Sequence, residues 1–281
     1  MELRRHGDVG DFLEAAEPFL VAREAEHNLI LGVTSNLREA PEDFTGSAYL
    51  ATVTAGGRIV AAAMQTPPFN IVLSEIDDPA AIDHLADDLV DRDLPGALGP
   101  VEHVRAFVDA RLARGGSPAR LEVSERIFRL TEVRPPPAAP GRLRSAGPAD
   151  RDLVLGWIDA FMREALEPAD PVEMSAMTDR WLAGRGRTLY LWEDGEVASL
   201  AGIGSPTPHG LRVGPVYTPP ARRRRGYASA LVAAISEAAL DAGWTFCFLF
   251  TDLANPTSNH VYQLIGYEPV RDVDVWRFEG L

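Results

Sequence analysis

The sequence predicts a mixed α/β fold of two tandem domains, each a central mixed β-sheet flanked by helices. Three observations carry that expectation. Strand-type apolar runs are interleaved with helical periodicity along both halves. A helix, strand, glycine turn, strand, proline stop order occurs twice, which reads as an internal duplication, although two unrelated α/β domains can share such a hairpin. Between the copies lies Arg134-Pro-Pro-Pro-Ala-Ala-Pro-Gly141, whose prolines remove backbone donors and favour extended chain. The expected division is residues 1–134, a linker at 135–141, and residues 142–281.

In the first half, helical pattern runs from Asp8 to Leu37. Ala48 to Pro67 then reads as two strands around Gly56-Gly57, and Asn70–Ile76 as a third strand. In the second half a short strand at Arg142–Arg144 precedes helices within Ala149–Ala183. Strands follow at Thr188–Glu193, Glu196–Gly204 and Leu211–Thr218, the last stopped by Pro219-Pro220. A helix at Gly226–Ala242, a strand at Thr245–Thr251, a short helix at Ser258–Leu264 and closing strands near Tyr267–Val270 and Val273–Phe278 complete the order.

Composition narrows the chemistry. The chain has 281 residues with 27 basic and 41 acidic side chains, a net charge of −14, and every basic residue is arginine. Schiff-base enzymes, Walker-type phosphate loops and protein kinases depend on a lysine nitrogen, so those chemistries are excluded. Net negative charge argues against a nucleic-acid or anionic-membrane binder and suits an amine partner, including a cationic one. The first 134 residues hold 13 Arg and 23 acids, net −10, and the remainder 14 Arg and 18 acids, net −4. Cys247 lies in the apolar run Trp244–Phe250 and reads as core. Scattered histidines give no paired spacing, so no metal is expected. Without an apolar segment of secretory or membrane-spanning length, a cytoplasmic address is expected.

The stretch Val213 to Val232 carries the strongest signal. A strand ends, Arg222-Arg-Arg-Arg225 forms a turn, and an amphipathic helix starts at Gly226 with the small residues Ala228 and Ser229 in its first turn. Unpaired amides at a helix start, reinforced by the helix dipole, bind anions, and small residues let a diphosphate approach the backbone. The arginines add attraction.

The spacing Arg223-x-x-Gly226-x-Ala228 resembles the acyl-coenzyme A signature of the GCN5-related N-acetyltransferase (GNAT) superfamily, Arg or Gln, two residues, Gly, one residue, Gly or Ala. Phe250-Thr-Asp-Leu-Ala-Asn255-Pro-Thr-Ser-Asn259-His-Val-Tyr262-Gln-Leu-Ile-Gly266-Tyr267 is similar to the second motif of that superfamily. The resemblance covers about residues 142–278. It implies two splayed parallel strands, Leu211–Thr218 and Thr245–Thr251, with pantetheine between them and the thioester near Val216 and Tyr262. Acetyl-coenzyme A is then the co-substrate, with Val216, Tyr217, Thr218, Arg223, Arg224, Arg225, Gly226, Tyr227, Ala228, Ser229, Asn255 and Tyr262 as its contacts.

The implied reaction is attack of a neutral amine on the thioester carbonyl. A strand N–H near Val216 or Tyr217 stabilises the oxyanion and Tyr262 supplies a proton or hydrogen bond to the leaving sulfur. Tyr262 also reads as an amphipathic core residue, and Asn255 as a helix cap. For the base, Glu164 borders the expected acceptor cleft and Glu193 ends a strand; both also read as solvated acids, His209 reads as exposed in a Pro-His-Gly turn, and His260, two helical positions from Tyr262, faces elsewhere. Water-relayed deprotonation needs no dedicated base.

The first half has no such signature. Asp77 to Asp88 places acids where a diphosphate would sit, which reverses the electrostatics. It is expected to be a degenerate GNAT-like domain that shapes the acceptor cleft and cannot hold coenzyme A, and the chain then resembles the two-domain branch of the superfamily, of which mycothiol synthase is one tandem relative. The expected activity is transfer of acetyl to a primary amine of a small molecule or peptide in a ternary complex. A non-catalytic acyl-coenzyme A sensor and a nucleic-acid binder using Arg222–Arg225 are the competing readings.

Overall fold

The computed structural model describes residues 1–44, 46–165 and 170–280. Its contacts divide the chain into two compact units, Met1–Ile127 with Asp252–Ala254 and Val270–Leu281, and Phe128–Thr251 with Asn255–Pro269. The closing strand expected in the second half therefore changes membership: it is one strand, and its C-terminal part belongs to the first unit.

The chain runs β1 (Glu2–Arg5), α1 (Val9–Val21), α2 (Asn28–Glu39), β2 (Tyr49–Ala55), β3 (Arg58–Gln65), β4 (Ile71–Leu73), α3 (Ala81–Asp88), β5 (Gly96–Pro100), α4 (Val101–Ala113) and β6 (Ala119–Leu130). It continues β7 (Arg142–Ser145), α5 (Arg151–Ala165), α6 (Pro171–Leu182), β8 (Arg187–Asp194), β9 (Glu196–Gly204), β10 (Gly210–Tyr217), α7 (Tyr227–Asp241), β11 (Phe246–Asp252), α8 (Pro256–Ile265) and β12 (Glu268–Phe278). The order βααβββαβαβ occurs twice.

In the first unit the strand order is β1-β2-β3-β4-β5-β12-β6. β4 and β5 pair in parallel, and β12 pairs antiparallel with β5 from Val273↔Pro100 to Arg277↔Gly96. Arg126 grips Asp272 through two hydrogen bonds of 2.6 and 2.8 Å, and Ser124 donates to Asp274 at 2.6 Å. One face packs Phe107, Leu85 and Ile71 under α3 and α4; the other packs Phe12, Leu20 and Ile30 under α1 and α2.

In the second unit the order is β11-β10-β9-β8-β7. Strand alternation sends Leu189, Leu191 and Leu200 to a cluster with Val154, Ile158 and Met174 of α5 and α6. Ala201, Ile203, Val213, Cys247 and Leu249 go to the opposite cluster with α7 and α8. Cys247 is fully buried there and burial pushes its thiol up to about 12, so it is core, as its sequence context indicates. Among the described residues no helix is long and apolar enough to cross a membrane.

Candidate active site

β10 and β11 start side by side and in parallel, from Gly210↔Phe246 to Arg212↔Phe248, and their register ends there although both strands continue. Beyond Arg212 the β9 partner register also shifts, between Val213 and Val216, with Gly214 at φ +139° inside the irregularity. A bulge bends its strand and disturbs the ladder. Val216 and Tyr217 thus keep β9 on one side, opposite Ala201 and Leu200, and leave their pairing with β11 unextended.

The loop after β10 builds an anion cradle. Arg224 has φ +62° and Gly226 φ +82°, so two residues of the turn are left-handed, a conformation that occurs in anion-binding nests. Gly226 is the N-cap of α7, without a side-chain cap bond, and no acid lies in the first turn. The amides of the first turn are therefore available to a ligand. Ala228 and Ser229 are half-buried in that turn. Tyr227 turns inward, and its hydroxyl donates to Asp194 at 2.6 Å, tying the helix start to the β8–β9 turn. Ala139 of the proline-rich segment borders Gly226, where an added methyl would lie 3.5 Å from the alanine methyl.

The arginines are individually deployed. Arg222 pairs with Glu196. Arg223 donates to Thr218 O at 2.8 Å and to Glu164 at 2.5 Å, and lies over the Tyr217 ring. Tyr217 donates to the same Glu164 carboxylate at 3.4 Å; burial first, and then the negative Glu164, hold its phenol above the ordinary tyrosine value. Ser199 donates to Tyr217 O at 3.1 Å and contacts Thr218 Oγ1 at 2.8 Å, fixing the strand end. Arg224 and Arg225 are exposed.

Tyr262 is 9 % exposed on α8, edge-on to Tyr267 with ring centroids 5.9 Å apart. Its hydroxyl has no hydrogen-bond partner among the described residues, and burial pushes its pKa up to about 12.

Residues 154–267 match the model of the acetyltransferase (GNAT) family. That region resembles the GNAT acetyltransferases. A Drosophila protein of solved structure superposes with a TM-score of 0.70 over 98% of both chains at 16% identity. A GCN5-related N-acetyltransferase from Sphaerobacter thermophilus gives 0.63 over 100% of this chain and 96% of that one, also at 16%. A tandem GNAT protein from the clavulanic acid biosynthesis pathway gives 0.57 over 98% and 97%, again at 16%. These likenesses span the whole chain and show the fold, two tandem GNAT-like domains. No curated protein matches the chain by sequence.

Within the GNAT region the other candidates separate. Asn255 is the N-cap of α8: its Oδ1 accepts from Ser258 N at 3.0 Å and its carbonyl from the Asn259 side chain at 2.9 Å. The capping alternative thus accounts for its side-chain oxygen. Glu193 lies 3.4 Å from Arg142 and 3.3 Å from Arg144. His260 is exposed, and the carbonyl of His209 accepts from Thr245 N at 2.9 Å.

Sequence reading missed Trp157, whose ring lies 6.0 Å from Tyr217, and Arg187, which reaches Gly214 O. The available signal for Arg187 was Gly202-Ile-Gly204, two small residues on one strand face with no turn to explain them.

In the first unit Asp78 accepts from Ala80 N at 3.1 Å just before α3, the amides of Ala81 and Ile82 donate to the carbonyls of Asp78 and Pro79, and Asp77 holds Arg23 at 2.5 Å. Glu75, Glu102 and His103 bring ligand-type atoms together there. Arg271 already bridges both carboxylates, with 2.6 Å to Glu75, so a cation at that point meets a guanidinium.

Proposed function

We propose that this protein is an acyl-coenzyme A-dependent N-acyltransferase, transferring acetyl from acetyl-coenzyme A to a primary amine of a small molecule or peptide by direct attack in a ternary complex. The supporting observation is the conjunction, in one unit, of a strand pair whose register stops at Arg212↔Phe248 with an acid-free helix start at Gly226. The left-handed turn at Arg224 to Gly226 and the α7 amides hold the diphosphate, with Arg223, Arg224 and Arg225 adding charge. Backbone at Val216 to Thr218 lines the pantetheine. Asn255 stands at the same end of α8 as a boundary of the cofactor path.

In the reaction the amine lone pair forms the new C–N bond at the thioester carbonyl. An N–H near Val216 or Tyr217 receives the developing oxyanion, and collapse breaks the C–S bond. Tyr262 meets the departing sulfur. A hydroxyl with a pKa of about 12 stays protonated at neutral pH, and because that is well above a thiol value of about 8.5 it acts by hydrogen-bonding the thiolate, which solvent then protonates. Glu164 is the candidate base. Its partners, Arg223 and Tyr217, sit at the edge of the slot, and phosphate competition for Arg223 releases its carboxylate.

The first unit, where the amides of Ala81 and Ile82 at the start of α3 already donate to backbone carbonyls, holds no second cofactor on this reading. The acceptor arrives as an ammonium ion, which suits a chain of net charge −14.

Thiol release from acetyl-coenzyme A over a panel of amines tests the proposal. Tyr262→Phe is expected to lower kcat by roughly 10²-fold or more with the acetyl-coenzyme A Kd nearly unchanged. Cofactor binding without turnover on any amine would instead identify a sensor. Equal turnover by Tyr262→Phe would remove that residue from the mechanism.

A further inference from the structure

Arg187 opens β8 and projects to the α5/α6 face, on the same side as Leu189 and Leu191. Its side chain runs across β9 to the bulge of β10, where Nη1 donates to Gly214 O. Two glycines clear that path. A methyl added to Gly202 would lie 2.7 Å from Arg187 Cδ and 2.9 Å from Gly214 O, and one added to Gly204 would lie 2.7 Å from Arg187 Cα. Ser205, at φ +49°, accepts from Nη2 at 3.3 Å, so a residue held in the sparsely populated left-handed region supplies one of its few partners. Trp181 of α6 covers the guanidinium at 5.2 Å from its ring centroid.

These partners are a carbonyl, a hydroxyl and an aromatic face. No carboxylate reaches Arg187 among the described residues, and its Nε is shut off from solvent without any partner. Arg212 stands in the same lateral row, since Arg187 and Arg212 both register with Gly204, and it adds positive potential. A desolvated guanidinium without a counter-ion is costly unless an anion joins it.

We propose that Arg187 binds a carboxylate of the acyl acceptor, so that the acceptor is an amino acid or a related amino-carboxylate. This deepens the acyltransferase reading and rests on it for the position of the amine. Gly214, whose carbonyl Arg187 holds, is two residues before Val216, about 7 Å along a strand. A small amino acid bridges that separation with its ammonium end toward the thioester and its carboxylate on the fork of Arg187. The α5/α6 face is also where Tyr217, Trp157 and Glu164 meet, so the two ends of a zwitterion find opposite charges on one face of one unit.

The test uses the full-length protein and two readouts. In the first, glycine, β-alanine and glutamate are compared with their amides as acceptors. The acids are expected to have the higher kcat/KM, and Arg187→Gln is expected to raise KM for the acids roughly 10- to 100-fold more than it raises KM for the amides. Arg187→Lys keeps the charge without the fork and should fall between. In the second, calorimetry with N-acetylglycine against N-acetylglycine amide reads carboxylate affinity without catalysis.

Wild-type protein that treats acids and amides alike in both assays overturns the proposal, whatever the variants do. Failure of all amines to release thiol, together with N-acetylglycine binding that Arg187→Gln abolishes, overturns the acyltransferase reading and leaves the carboxylate site standing.

Discussion

His27 makes the first unit acid-sensitive over a defined range. The imidazole is 2 % exposed; its Nδ1–H donates to Leu20 O at 2.9 Å, and Nε2 accepts from Glu75 N–H at 3.0 Å. Both nitrogens are committed, so a second proton breaks the bond to Glu75 N. Burial is the largest effect and lowers the pKa, the Leu20 carbonyl opposes it, Arg23 lowers it further and Asp77 raises it; the result is a fall from 6.5 to about 4. A histidine with a depressed folded-state pKa contributes stability that is complete above the unfolded value. That contribution is lost as the pH falls from 6.5 to about 4 and is constant below. At about 1.4 kcal/mol per pH unit the loss is ~3 kcal/mol. Urea unfolding of wild type and His27→Gln between pH 7.5 and pH 4 measures it: the variant lacks this titration, so its stability should depend less on pH by that amount. An imidazole titrating near 6.5 by NMR, or identical pH dependences for the two proteins, would refute the reasoning.

Three further outcomes are expected. Gly226→Ala places a Cβ at φ +82°, which costs about 1–2 kcal/mol in the left-handed region; a lower Tm and weaker acetyl-coenzyme A binding by calorimetry should accompany each other. Arg271→Met leaves Glu75, 7 % exposed, facing Glu102 without a cation, and should cost about 3–5 kcal/mol in denaturant titration; the double variant with Glu75→Gln should recover much of it. Glu164→Gln should lower kcat with little change in Tm, because its ion pair with Arg223 is about half exposed and such pairs contribute about 0–1 kcal/mol; unchanged kcat would leave deprotonation to water.

Local chemistry was legible where one short segment specifies it. Pro219-Pro220, Gly226 and the alanine-rich run that follows place the end of β10 and the start of α7 within a residue. Asn255-Pro256 similarly locates the α8 cap, and Cys247 follows from its apolar neighbours. The destination of β12 was not legible. Its alternation shows a strand with one buried face, but nothing in Val273 to Phe278 names Gly96–Pro100 as its partner. The same limit hides Arg271, which neutralises Glu75 from the far end of the chain, and His27, whose partners are backbone atoms with no side-chain signature. Arg187 was obscured differently, because its meaning lies in what it lacks.

That lack separates two kinds of arginine in a protein whose cations are all arginine. At the phosphate loop, Arg222 and Arg223 each have a carboxylate in reach, Glu196 and Glu164, and both pairs are partly solvated. Such pairs form and exchange at little cost, so on the proposed reading these side chains would contribute attraction and salt dependence, while the amides at Gly226 would fix the diphosphate. Arg187 is held by a carbonyl, a strained serine and a tryptophan face, on a path kept open by Gly202 and Gly204. No carboxylate of the described chain neutralises it, and its Nε is already shut off from solvent before any ligand arrives. A half-buried guanidinium in that state gains more from an incoming carboxylate than a solvated one does, because the anion displaces less water and no existing ion pair. Increasing salt should therefore weaken acetyl-coenzyme A binding more than it weakens carboxylate binding at Arg187. Calorimetric titrations of acetyl-coenzyme A and N-acetylglycine at two ionic strengths would show it, and equal salt slopes would place Arg187 among the solvated arginines.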